Sequence, residues 1–258
     1  MALFTDGVPS TVADLAALDS QLLNVAHAEG IDVTQKLTLA QIDLGLELTT
    51  LLAGNSYCVQ SVWVTPRPNL NSVVVTPALK LWHTYRALEM VYSDAYNSQL
   101  NDRYGGRRDQ FHRMAKQAYE KLRETGLGIV TAPVPMAATP GVVAVESGAG
   151  GNLPDGTYFV AISWANAVGE EGVASEPAGV AIGSGTFQVD AGSAPGTAAG
   201  WNVYAGTEPN NLSLQSAAMV EVGASWVQPG VLRTTGRAPG TGQEWNYLRP
   251  IPRVIQRG

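Results

Sequence analysis

Three histidines, one cysteine and a few carboxylates are the residues of this 258-residue chain that could do chemistry, and their spacing decides which chemistry. His27, His83 and His112 each stand alone on an expected helix. None has a second His or a carboxylate at the i, i+4 spacing that a helical metal site uses, so each reads as structural or solvent-facing. Cys58 has no neighbouring motif that would activate it, so an inert packed thiol is expected. As the single cysteine it cannot close an internal disulfide, which fits assembly in a reducing cytoplasm. Glu170 and Glu171 are adjacent and so point apart on a strand or sit in a turn, which argues against an acid/base pair. The glycines at 148, 150 and 151 lead into no GxxxxGK turn, and no lysine follows Lys121, so they form no phosphate loop. The expectation is a non-catalytic protein without metal or cofactor.

The elements that carry these residues divide by composition. Between Arg123 and Arg233 there is no lysine or arginine. Residues 1–126 hold eleven cations against thirteen acids, residues 127–232 none against eight, and residues 233–258 five arginines against one glutamate. Of 28 glycines 21 lie after Gly126, as do 11 of 15 prolines. The expected organisation is a helical domain over 1–130, a linker over 131–141, a β domain over 142–232 and a basic extended tail over 233–258. On that division a cut near residue 135 should free a stable fragment. The net charge of −6 argues against tight binding to a polyanion over the whole surface. The opening residues lack a cationic, then apolar, signal pattern, and no run approaches the ~20 apolar residues of a membrane span. The Asn211-Leu212-Ser213 sequon is then a coincidence.

In the first half, Ser10 or Thr11 caps a helix with Val12, Leu15, Leu18, Leu22 and Val25 on one face, ending at Gly30. Thr38 and Gln41 have capping-box spacing for a second helix that carries Leu39, Ile42 and Leu46 along the same stripe to Gly54. Residues 55–75, with β-branched valines around Pro66-Arg67-Pro68-Asn69, read as a hairpin-like excursion. Thr76-Pro77 opens a third helix to about Leu100 with Trp82, Tyr85, Tyr92 and Tyr96 on an aromatic face. A fourth runs from Gly106 to Thr125, with Arg107, Arg108, Arg113, Lys116, Lys121 and Arg123 mostly outward. In the second half, short strands are expected at 142–145, 157–164, 178–182, 186–189, 201–205, 217–222 and 225–227. That spacing suggests a β-sandwich.

Two resemblances follow from particular residues. Leu153-Pro154-Asp155-Gly156-Thr157-Tyr158-Phe159-Val160, Asn166-Ala167-Val168-Gly169-Glu170-Glu171-Gly172, Ser175-Glu176-Pro177 and Gly200-Trp201-Asn202-Val203-Tyr204 resemble a fibronectin type III or related immunoglobulin-like (Ig/FnIII) module, of the kind appended to phage structural proteins. The order of helices in the first half, through Leu39-Ala40-Gln41-Ile42-Asp43-Leu44-Gly45-Leu46-Glu47-Leu48, Leu79-Lys80-Leu81-Trp82-His83 and Asp102-Arg103-Tyr104, resembles the head-to-tail adaptor (connector) family of tailed bacteriophages. The fold class implied is multidomain, α then β: an N-terminal helical bundle and a C-terminal Ig/FnIII-like β-sandwich.

The resemblance implies a virion neck protein, made in the host cytoplasm, that forms a ring between portal and tail. Its partners would be the portal protein, tail or neck proteins and copies of itself, twelve if it follows the family. DNA would pass without sequence-specific contact, and no membrane is involved. Subunit or portal contacts then fall to Trp82, Tyr92, Arg107, Arg108 and Arg113, and to Trp245, Tyr247, Arg249 and Arg253 in an arm that orders on a neighbour. A second reading is a glycan- or cell-surface-binding module of a phage particle or fibre, in which Trp164, Trp201 or Trp226 stacks on sugars.

Overall fold

The computed structural model describes residues 1–56, 68–99, 103–146 and 153–248. Among them are five α-helices, α1 (Val12–Leu18), α2 (Leu22–Glu29), α3 (Val33–Ser56), α4 (Pro77–Gln99) and α5 (Gly105–Thr125), with one two-residue strand between α3 and α4 and the other strands after α5. The strands, all paired antiparallel, are β1 (Val73–Val74), β2 (Leu127–Ile129), β3 (Gly141–Val145), β4 (Gly156–Ala165), β5 (Ala178–Ile182) and β6 (Thr186–Asp190). They continue with β7 (Gly200–Glu208), β8 (Asn211–Leu214), β9 (Val220–Glu221), β10 (Trp226–Val227) and β11 (Asn246–Leu248). The expected order of helices and then an antiparallel β region is therefore present. The chain forms two units, one of residues 7–131 with those from Trp245 onward, the other of residues 1–6 with 132–244.

In the helical unit, Thr11 and Asp14 close a capping box: the Asp14 amide donates to the Thr11 hydroxyl at 3.2 Å and the Thr11 amide to the Asp14 carboxylate at 2.7 Å. The single helix expected over 11–30 is broken at Asp19. Its backbone is extended, and its buried carboxylate accepts from the Gln21 amide at 3.0 Å and the Tyr92 hydroxyl at 2.5 Å. Leu15 and Leu22 stay buried while Leu18 turns out to solvent. Gly30, at φ 65°, supplies the left-handed cap that ends α2.

The start of α3 is also corrected. Asp32, not Thr38, is the cap, its carboxylate accepting from the amides of Thr34 at 2.9 Å and Gln35 at 3.1 Å. Thr38 lies inside the helix with its hydroxyl on the Thr34 carbonyl, and Gln41 donates to the Gly7 carbonyl at 2.8 Å. The helix passes Gly54 to Ser56. Among the described residues, α3 buries Val33, Leu37, Ala40, Leu44, Leu48, Leu51 and Leu52. Helix α4 begins where Thr76-Pro77 places it, the Thr76 hydroxyl accepting from the Leu79 amide at 3.4 Å. Tyr92 stacks on Phe111 of α5 at 5.5 Å between ring centroids, in a core that includes Leu88, Val91 and Ala95.

Of the expected excursion, residues 57–67, with Cys58, lie outside the described residues. Val73–Val74 pairs with β2, and β2 in turn with β11, in a sheet ordered β1-β2-β11. The segment expected as one extended tail is therefore divided. Asn246–Leu248 is a strand of the helical unit, whereas residues 233–244 belong to the β unit.

The β unit holds two sheets, ordered β5-β4-β7-β8, with β9 also on β7, and β10-β6-β3. Alternation along β4 and β7 turns Val160, Ile162, Trp164, Trp201, Val203 and Ala205 to one side. There they share a core with Phe187 and Val189 of β6, with Val142 and Trp226 packed against it. Val134 and Ala137, in the stretch expected to be a linker, are buried in that same core, and the Val134 amide donates to the Gln243 side chain at 2.6 Å. Leu3 and Phe4 are buried as well, and the Asp6 carboxylate accepts from the Met136 amide at 2.8 Å. Strand β8, which pairs with β7, was not among the expected strands.

Candidate functional site

The expected contact residues that are described differ widely in exposure. Tyr92 is buried, donates its hydroxyl to Asp19 and has no surface to offer a partner; burial, reinforced by the Asp19 carboxylate, raises its pKa. Trp82 is almost fully covered, with its ring 4.8 Å from that of Tyr119. Arg107 and Arg113 are exposed, whereas Arg108 lies over the Tyr96 ring at 4.4 Å and pairs with Asp109 at 2.8 Å. The indole of Trp245 packs so closely on Gly128 that a Cβ there would meet it at 2.8 Å, and its Nε1 is buried without a partner among the described residues. Tyr247 is 56% exposed, and Arg249 and Arg253 lie outside the described residues.

The helical unit instead presents a ridge and a groove. Leu39, Ile42 and Leu46, expected to continue the buried stripe, are 43, 58 and 68% exposed, on the side of α3 turned away from Leu37, Leu44 and Leu48. A helix with leucines on both sides is apolar where a lone subunit would be polar. That double apolar pattern was the signal in the sequence that the core assignment overlooked.

Beside the ridge lie two adjoining depressions of about 400 and 310 Å³ that share Arg86 and Glu89. Arg86 bridges Asp43 of α3 at 2.7 Å and Glu89 at 2.8 Å, and His112 Nδ1 lies 2.8 Å from the other Glu89 oxygen. Burial works against the Arg86 charge, but the bonds to Glu89 and Asp43 outweigh it and hold the pKa above its ordinary value. Trp82 and Tyr119 line one end of the groove, Asp94 and Lys36, paired at 2.7 Å, the other. Exposed Glu47 on the rim pairs with no cation among the described residues. Every charged side chain lining the groove except Glu47 and Lys116 is engaged with another.

His83 is fully buried on α4, with Nε2 3.0 Å from the Leu37 carbonyl and Nδ1 unpartnered among the described residues. His27 is solvent-facing. Among the described residues no three His, Cys, Asp or Glu side chains are grouped to hold a metal ion.

In the β unit, Glu171 and Glu170 behave differently. Glu171 is buried and accepts from the Ser163 hydroxyl at 3.0 Å, the Tyr204 hydroxyl at 2.6 Å, the Asn202 amide and the Arg237 guanidinium. Burial and this carboxylate together raise the Tyr204 pKa. Glu170 accepts from the side-chain amides of Asn166 and Gln243. Both glutamates are held as structural acceptors. Of the tryptophans named for sugar stacking, Trp164 and Trp201 are core residues and Trp226 is half-buried against Phe187.

No known protein-family model matches the chain, and no curated protein matches it.

Proposed function

We propose that this chain is a non-catalytic structural subunit of a tailed phage particle, a head-to-tail adaptor that joins a ring between portal and tail. In this reading it resides in the virion neck, its partners are the portal protein, tail or neck proteins and its own copies, and DNA passes without sequence-specific contact. The observation that carries it is the ridge of Leu39, Ile42 and Leu46: three large aliphatic side chains on one line of α3, left in water by the isolated subunit beside a groove of paired charges. Such a surface is stabilised when another protein covers it. A ring needs contacts of this kind between unlike faces of successive copies.

The second unit supports the rest of the reading. Two antiparallel sheets sharing one core, with the aromatic-rich β7 central, are what an Ig/FnIII-like sandwich requires, and such a module decorates the particle without taking part in the joint.

Negative-stain images of the purified chain, alone and with portal rings of its particle, test the proposal. Closed rings seated on the portal are the expected result. A chain that stays monomeric and leaves the portal bare overturns it. Removing the arm in such a test requires a cut after Leu248, because a cut at residue 240 would also delete β11 and Gln243.

A further inference from the structure

The ridge and groove of one copy match, in charge and in spacing, a segment that the same chain carries elsewhere. Arg249-Pro250-Ile251-Pro252-Arg253-Val254-Ile255-Gln256-Arg257-Gly258 holds three arginines and three aliphatic residues and no acid. Pro250 and Pro252 each lack an amide donor and fix φ, so the segment is suited to binding extended, by its side chains. Bound that way, Ile251 and Val254 lie on one side about 9 Å apart, at roughly 3.1 Å per residue. Leu39 and Leu46 are separated by about 10 Å along α3, at 1.5 Å per residue. The anions are placed for the arginines: Glu47 is exposed and unpaired among the described residues, Asp43 and Glu89 line the groove, and half-buried Tyr119 lines its end.

We infer that the α3 ridge and the groove beside it are the receptor for residues 249–258 of a neighbouring copy, with Ile251 and Val254 on Leu39, Ile42 and Leu46 and an arginine at Glu47. The inference rests on the assembly reading above and gives it a mechanism. Donor segment and acceptor ridge are different surfaces of one subunit, so each copy binds the next head to tail and the contact repeats until it closes.

Mixing two single-cysteine variants in a Cys58→Ser background tests it, one carrying Ile42→Cys and the other Val254→Cys. A disulfide between the two variants can form only between copies. It should appear about tenfold faster than in a control that pairs Val254→Cys with exposed Leu23→Cys, because docking raises the local thiol concentration. Equal rates overturn the inference, as does a double variant that closes on itself while the mixture stays unlinked.

Should Cys58→Ser not fold, charge exchange carries the test. Glu47→Arg and Arg253→Glu should each weaken association in sedimentation, and the two in one chain should restore it; no effect of either overturns the docking. Portal binding is scored separately. Cross-linking without portal binding sustains the docking and removes the adaptor role, whereas portal binding without cross-linking does the reverse.

Discussion

Glu171 is held by donors from two strands and from Arg237, yet the partners are not equal. The carboxylate is 7% exposed and the arginine 53%. Glu171→Ala leaves the hydroxyls of Ser163 and Tyr204 and the Asn202 amide buried without their acceptor, and should cost about 3 kcal/mol in urea unfolding. Arg237→Ala leaves the carboxylate with three donors and removes a charge already half in water, so about 1 kcal/mol is expected. Equal losses would show that the ion pair, not the buried acceptor, holds the network. His83 gives a second prediction at this scale. Burial, only partly offset by the bond to the Leu37 carbonyl, lowers its pKa from 6.5 to about 4. The unfolded chain takes up a proton below pH 6.5 and the folded chain does not until near pH 4, so stability is complete above pH 6.5 and falls as pH drops through this window. The loss should reach about 3 kcal/mol at pH 4. His83→Leu should flatten that part of the stability profile, and a profile unchanged by the substitution would refute it.

Among the elements, β11 is held by three paired residues and by the indole of Trp245 over Gly128. Gly128→Val suits a strand by propensity, but its Cβ meets Trp245 and Thr76, so it should strip β11 from β2. Fast amide exchange at Asn246–Leu248 with the five helices retained is the expected signature, and full protection there would count against it. How legible each element was follows from the range of its determinants. Thr76-Pro77 and Gly126 bound α4 and α5 by local chemistry, and β4 declares itself by alternation, so all three could be read from the sequence. The break between α1 and α2 could not, because Asp19 is fixed by Tyr92, far along the chain. β11 pairs with a strand on the other side of the whole β unit in sequence, and no local pattern records that. Of the candidate site, Trp82, His112 and Lys116 were visible as residue types. The ridge was misread as core because periodicity identifies an apolar line without saying what covers it.

For the whole molecule, the decisive feature is that the backbone passes between the units three times, after Asp6, Thr131 and Glu244. The division by composition predicted one junction near residue 135, where a cut would free a fragment. The structure gives each fragment a piece of the other's unit. Cleavage at an engineered protease site at exposed Thr131 leaves Leu3 and Phe4, which belong to the β unit, on the helical fragment. It leaves β11 on the other. Separation must therefore bare two buried side chains worth together roughly 4 kcal/mol and break the β2–β11 ladder. The two fragments should co-elute in size-exclusion chromatography under native conditions and part only in denaturant. Residues 132–244 produced without residues 1–6 should melt earlier than the same unit in the full chain. Fragments that separate natively, each folded, would show that the exchanged termini contribute nothing and that composition alone had drawn the boundary correctly.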